Sequence, residues 1–203
     1  MDKRLQEEQW ADLIHRAKRL EPAAFDTLID AYSKPLYGYF YRLTGSRNEA
    51  EDLLQELFVR VVRSIRRYRD DGRFEAWIYR IAANLVRDGL RKQKTARAHF
   101  RQPQTPAEDD SEQADPLSKL PDTSDDGPAA RMSRTEQTDL LQVALDRLPD
   151  HERETICLRH FSQMSFQQIA DLLDVPLGTV LARAHRGLKR LRELMEDQKD
   201  AEG

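Results

Sequence analysis

Apolar residues recur at every third or fourth position along most of this chain, a spacing that is typical of amphipathic α-helices. Four such stretches precede residue 99: one ends near Ala17, one runs from about Pro22 to Leu43, and two follow Gly45. Four more follow residue 133, and the last of them begins near Pro176. Because Gly is also scarce, at 8 residues, we predict an all-α fold.

The two groups of helices are separated by a polar segment rich in Pro, Asp and Ser, RQPQTPAEDDSEQADPLSKLPDTSDDGPAAR. It holds almost no large apolar residues, so it cannot bury enough surface to offset the entropy lost on ordering. We therefore predict two small helical modules, residues 1–98 and 134–198, joined by a flexible linker over 99–133.

Single residues predict where helices begin, bend and face inward. Pro35 should kink or split the second helix, and Asp150 can cap the helix that follows Pro149. Ser165 and Gln168 have the spacing of a capping box. The third helix is expected to bury Leu53, Leu54, Leu57, Phe58, Val61, Val62 and Ile65. The fourth helix is expected to bury Phe74, Trp77, Ile78, Ile81, Ala82, Leu85 and Val86. The last helix is expected to bury Val180, Ala184, Leu188, Leu191 and Leu194.

Charge is segregated along the chain, although the net charge is only −3. Residues 102–128 hold eight acidic residues and one lysine, a net −7, so the rest of the chain carries +4. Residues 60–101 hold thirteen Arg or Lys against four Asp or Glu. The low net charge thus conceals two basic regions, because the acidic linker between them offsets their charge. Basic regions of this kind favour a polyanionic partner.

Several classes of protein are disfavoured. Cys157 is the only cysteine, which excludes an internal disulfide and a Cys-rich zinc site and fits a reducing compartment. A long uncharged apolar run is absent, so we expect no membrane insertion. The start, MDKRLQEEQW, lacks a signal-peptide core. We expect a cytoplasmic protein that is not an enzyme and uses no cofactor or metal, because the sequence contains neither paired catalytic carboxylates nor a ligand cluster.

The segment SFQQIADLLDVPLGTVLARAHRGLKR, residues 165–190, has the layout of a helix-turn-helix. Arg near the start of such a second helix can read guanine, and basic residues further along can hold phosphates. The alternative is a solvated basic face of an amphipathic helix. The candidate duplex-binding residues are Thr179, Arg183, His185, Arg186, Lys189 and Arg190.

Two further faces suggest binding sites in the first module. In its fourth helix, Tyr79 lies beside a face that combines an amide with Arg, which suits unstacked single-stranded bases; the candidates are Tyr79, Arg80, Asn84, Arg87 and Arg91. In its third helix, Asp52, Gln55 and Glu56 share a polar face, and an acidic patch more plausibly meets a protein than DNA.

Together these residues resemble the extracytoplasmic-function (ECF) sigma factors of bacterial RNA polymerase. The family's polymerase-docking helix resembles EAEDLLQELFVRVVRSI. Its reader of the minus-ten element resembles RFEAWIYRIAANLVRDGLRKQ. Its reader of the minus-thirty-five element resembles the stretch from LDRLPDHERETICLRHF to RGLKRLREL. The resemblance implies that Asp52, Gln55 and Glu56 bind core polymerase. Tyr79 and Asn84 would then lie near a flipped minus-ten base, and Arg183, His185 and Arg186 would meet upstream duplex.

The resemblance also implies that an anti-sigma factor is a possible partner. This sequence departs from the family at Leu181 and Ala182, where Lys or Arg and then Ser are frequent, and at Asp174, where Gly is common. Two other functions stay open at this point: a stand-alone helix-turn-helix regulator that binds duplex DNA without polymerase, and a helical scaffold without a DNA role.

Overall fold

The computed structural model describes residues 3–70, 72–99 and 138–202, and within these ranges every regular element is helical. This confirms the predicted all-α fold; the predicted linker, apart from residue 99, lies outside the described residues. The elements are α1 (Lys3–Lys18), α2 (Pro22–Thr44), α3 (Arg47–Ser64), a 3-10 turn (Ile65–Arg67), α4 (Phe74–His99), α5 (138–146), α6 (Asp150–Phe161), α7 (Phe166–Leu173) and α8 (Leu177–Glu202).

The turn before α8 is fixed by local chemistry at both ends of α7. The backbone N–H of Gln168 donates to Ser165 Oγ at 3.2 Å, and the N–H of Ser165 donates to Gln168 Oε1 at 2.8 Å. This confirms the predicted capping box. At the other end Asp174 adopts a left-handed conformation with φ 55°, which Asp tolerates better than most residues other than Gly and Asn. The capped helix and the tight turn set the direction of α8.

α2 continues through Pro35 without splitting, so of the two expected effects of this proline only a kink stays a prediction. Three other expectations about single residues differ from the structure. α6 begins at Asp150 itself, so its side chain does not cap the helix from outside; it accepts a hydrogen bond from Arg153 Nη2 at 3.3 Å instead. Leu188 is 53% exposed and Val62 42% exposed, because each lies at the edge of its helix's apolar stripe, where neighbouring helices cover it only in part.

The two modules share one continuous apolar core. In the first module Leu36, Phe40, Leu57 and Ile78 are fully buried, and Leu158, Ile169 and Val180 are fully buried in the second. These residues belong to a single cluster, because α6 packs on α2 and α7 packs on α4. The second module therefore covers part of the first.

Gly187 allows α6 and α8 to approach closely. A Cβ at this position would lie 2.7 Å from Ile156 Cδ1 and 3.2 Å from Glu152 Cβ, so it fits only if the Ile156 side chain turns aside and Glu152 shifts by a few tenths of an ångström. Gly89, in α4, has nothing within 4 Å of its would-be Cβ. A Cβ would therefore be crowded at Gly187 and unhindered at Gly89.

Replacing Gly187 with Ala should lower the free energy of unfolding by about 1–3 kcal/mol, the usual effect of overpacking. Helix propensity alone predicts the opposite sign, because Ala is about 0.5–1 kcal/mol more favourable than Gly inside a helix. Gly89→Ala is the matched control and should be neutral or stabilising. Urea unfolding measures both variants, and a stabilised Gly187→Ala protein would contradict the tight packing.

Candidate nucleic-acid interface

The polar face predicted for α4 is present, and it extends from solvent to the contact with the second module. Arg80, Asn84 and Arg91 are exposed. Arg87 is half-buried, and its Nε lies 3.1 Å from Glu154 Oε1 of α6. Burial raises the pKa of Glu154, and Arg87 opposes part of that rise. The positive charge of this face of α4 is therefore partly neutralised by Glu154 of the second module.

Tyr79 lies under α6 rather than on the exposed surface. Its side chain is 1% exposed, and its hydroxyl donates a hydrogen bond of 2.8 Å to the carbonyl oxygen of Phe161. The pKa of Tyr79 is raised, mainly by burial and to a smaller extent by the nearby Glu75 carboxylate. The phenol therefore stays protonated and remains a donor. In this arrangement of the modules the ring cannot stack on a base.

Other contacts hold the second module against α2. Arg42 Nη1 donates to the Thr138 carbonyl at 3.1 Å and to Gln142 Oε1 at 3.0 Å. A Cβ on Gly38 would lie 2.8 Å from Phe161 Cε1, so the absence of a side chain there lets the Phe161 ring rest on α2. The same phenylalanine thus touches α2 with its ring and Tyr79 with its carbonyl.

An open groove of ≈ 780 Å³ lies between the modules. Arg87 and Arg91 of α4 line one wall, and Arg183 of α8 and His151 of α6 line the other. Three of the predicted nucleic-acid contacts, Arg87, Arg91 and Arg183, are thus brought to one cleft, although Arg183 lies about a hundred residues after the other two in the chain.

The basic residues of α8 divide into two groups by their surroundings. Arg186 and Arg190 lie on the side of α8 that faces α6, where both bind the buried carboxylate of Glu152. His185 and Lys189 are exposed on the outer side, and Lys189 Nζ is 3.8 Å from Glu193 Oε1. Thr179 and Arg183 are half-buried.

The third predicted surface is on α3. Asp52, Gln55 and Glu56 are exposed and lie on one side of the helix with Val59, which is also exposed. Glu56 Oε1 accepts a hydrogen bond of 2.8 Å from Arg60 Nε. The structure therefore brings the three predicted polymerase-binding residues together, with an apolar side chain beside them.

Sequence reasoning missed three residues of this interface: Glu152, Glu154 and Phe161. The two acids lie in the first two turns of α6, where acidic side chains are common because they favour the helix dipole. In the sequence, Glu152 and Glu154 therefore look like acidic residues at the start of any helix. Only the tertiary contacts reveal their arginine partners.

Metal binding and membrane insertion receive no structural support within residues 3–70, 72–99 and 138–202. Among these residues the His, Cys, Asp and Glu side chains form no cluster suited to a metal ion. In the same part of the chain, the helices lack a stretch long and apolar enough to cross a membrane.

Comparison with known proteins gives two family matches: sigma-70 region 2 over residues 28–96 and sigma-70 region 4 over residues 144–193. The ECF RNA polymerase sigma factor SigW of Bacillus subtilis (strain 168) is 31% identical over 186 residues, 91% of this chain and 95% of that protein. The RNA polymerase sigma factor CarQ of Myxococcus xanthus is 36% identical over 172 residues, 85% of this chain and 89% of that protein.

A solved structure has the same fold. The sigma factor RpoE of Bartonella quintana, crystallised with the anti-sigma factor NepR, superposes with a TM-score of 0.62 over 85% of this chain and 96% of that one. The two sequences are 20% identical, so this likeness concerns the fold alone.

Proposed function

This chain belongs to the ECF sigma factors of RNA polymerase, and we propose that it gives bacterial core polymerase its promoter specificity through two separate DNA contacts. The observation that carries this proposal is the match of both helical modules, in the same order, to sigma-70 regions 2 and 4. Each module also presents exposed Arg side chains on one helix, Arg80 and Arg91 on α4 and Arg186 and Arg190 on α8, which favours binding to a polyanion.

The upstream contact is assigned to α7 and α8. Arg183, at the start of α8, is placed to read base edges, while Arg186 and Arg190 have half-exposed guanidiniums suited to phosphates. The exposed His185 and Lys189 extend this surface. Thr179 supports the N-terminal turn of α8, where a duplex enters in helix-turn-helix complexes.

The downstream contact is assigned to α4, where Arg80 and Arg91 would hold the backbone of unpaired minus-ten DNA and Asn84 would pair with a base edge. Tyr79 can stack on a base only after Phe161 moves away, and Arg87 is released from Glu154 in the same movement. We therefore propose that the modules separate when the protein binds promoter DNA, and that the packed arrangement covers the part of the minus-ten surface formed by Tyr79 and Arg87.

The partners follow from the same assignment. Asp52, Gln55 and Glu56 of α3 would bind core RNA polymerase, and polymerase would supply all of the chemistry, so the chain itself is proposed to be a DNA-binding regulator and not an enzyme. It would work in the cytoplasm, where polymerase is. The RpoE structure contains an anti-sigma factor, and we propose that this chain also has a partner of that kind.

In vitro transcription tests the proposed function. The full chain is added to core polymerase on a promoter library, and we expect transcripts with defined start sites that core polymerase alone does not give. The absence of such transcripts would refute the assignment. Sequence-specific binding of the free chain to duplex operators, without polymerase, would point instead to a stand-alone regulator.

Replacing Asn84 with Ala should slow promoter opening about tenfold, because one base-edge contact contributes about 1–3 kcal/mol. Capture of the upstream duplex should be unchanged, since Asn84 lies in the other module. The measurement is permanganate reactivity of unpaired thymines against time. Asp30→Ala, an exposed change on α2, is the control; equal opening rates in both variants would remove Asn84 from the minus-ten site.

A further inference from the structure

Glu152 is an acidic residue that is almost fully buried, with 1% of its surface exposed, between α6 and α8. Its Oε1 accepts a hydrogen bond from Arg186 Nε at 3.2 Å, and its Oε2 accepts one from Arg190 Nη1 at 3.0 Å. His151 Nε2 lies 3.9 Å from Oε1. Each oxygen of the carboxylate therefore has its own arginine, from successive turns of one helix.

The arrangement constrains the two arginines while leaving them accessible. The side chains of Arg186 and Arg190 are 52% and 49% exposed, and a guanidinium has five N–H donors. Since Glu152 takes one donor from each of these half-exposed side chains, the other donors of both guanidiniums remain for other partners. Gly187, between the two arginines, lets the backbone of α6 come close enough for the short glutamate side chain to reach both.

We propose that Glu152 is a positioning residue for upstream DNA: it fixes the Arg186 and Arg190 guanidiniums so that their remaining N–H groups meet consecutive phosphates. This rests on the proposed function, because it assumes that α8 binds the upstream duplex. An arginine held before binding loses less conformational entropy on contact with a phosphate than a free one. Glu152 thereby increases DNA affinity although it carries a negative charge.

A simple charge effect predicts the opposite. If Glu152 acted only as a negative charge near a polyanion, its removal would strengthen binding. Glu193 offers the matched comparison, because it is an exposed glutamate on α8 that pairs only loosely with Lys189, at 3.8 Å. Replacement of either glutamate by Gln removes one negative charge from the neighbourhood of α8, and only the change at Glu152 loosens the two arginines.

The experiment uses the full chain bound to core polymerase and a duplex promoter that the wild-type holoenzyme selects from a pool randomised in the upstream element. We expect Glu152→Gln to weaken binding about tenfold and to lower the salt-dependence slope by about 1–2, one for each phosphate that the variant no longer binds. Glu152→Asp keeps the charge but shortens the reach, so it should weaken binding too. Glu193→Gln should bind as tightly as wild type or slightly more tightly.

Each outcome decides the proposal. Glu152→Gln binding as tightly as Glu193→Gln would overturn it, as would weaker binding with an unchanged salt slope. Thermal unfolding is measured for every variant; if both Glu152 variants are unfolded at the assay temperature, Glu152 is a stability residue and positioning is rejected. A wild-type holoenzyme that ignores the upstream element would refute the proposed upstream contact itself, which distinguishes the two failures.

Discussion

Replacing Asp52 with Lys should weaken binding to core RNA polymerase about 100-fold, because placing like charges together across an interface costs several kcal/mol. Asp52 is the better target on α3, since the carboxylate of its neighbour Glu56 is already held by Arg60 at 2.8 Å. The exposed position of Asp52 means that the change should leave the fold intact.

The affinity is measured by titrating labelled protein with core polymerase. The control is Asp30→Lys, the same charge reversal at an exposed position of α2, which should bind normally. Equal binding by the two variants would show that the acidic face of α3 is not the docking surface. The promoter assays would then have to identify another one.

Replacing Gly38 with Leu should force the two modules apart, and Cys157 should report this directly. The wild-type thiol is 2% exposed between α6 and α2, and burial raises its pKa to about 12. A thiol with a raised pKa stays protonated at pH 8 and reacts slowly, because only the thiolate is nucleophilic. When the modules separate, the thiol meets water and its pKa falls towards the usual value of about 8.5.

The expected result is therefore an increase of at least about 100-fold in the rate of reaction with a disulfide reagent at pH 8, since both access and thiolate fraction rise. Cys157 is the only cysteine, so the wild-type sequence needs no further change. Gly89→Leu is the control, because a Cβ there meets nothing within 4 Å. If Gly38→Leu reacts no faster than this control, the Phe161 ring has simply moved aside and the modules are still packed.

The same variant tests the proposal that packing covers part of the minus-ten surface. Separation should expose Tyr79 and release Arg87 from Glu154, so Gly38→Leu should bind fork-shaped promoter DNA at least as well as wild type. Reduced binding by a folded Gly38→Leu variant would contradict the idea that the packed arrangement opposes DNA binding.

The helices themselves could be predicted from the sequence, because each depends on short-range periodicity and on caps made by near neighbours. The Ser165–Gln168 capping box is an example: both partners lie within one turn, so their spacing alone identifies them. The exposed faces of α3 and α4 could be predicted for the same reason, since residues three or four positions apart lie on one side of any helix.

The limits of prediction are equally specific. The apolar pattern predicts Leu188 inside, yet it is 53% exposed, because its position on the helix edge does not say how far neighbouring helices extend. The sequence predicts that Tyr79 is available to DNA, yet it is 1% exposed, its ring packs edge-on against Tyr39, and its hydroxyl bonds to the Phe161 carbonyl, 82 residues later. Helical periodicity likewise presents Arg186 and Arg190 as free cations, and both are held by Glu152.

The sequence by itself determined the helices, their polar faces and, through two ordered sets of motifs, the family of this protein. Those features depend on interactions within a few residues. Only the tertiary structure decided which charged faces are paired and which are open, because Glu152, Glu154 and Phe161 meet their partners across 34 to 82 residues. Such contacts depend on how one helix packs on another, within the second module for Glu152 and between the modules for Glu154 and Phe161, and helical periodicity carries no information about that packing.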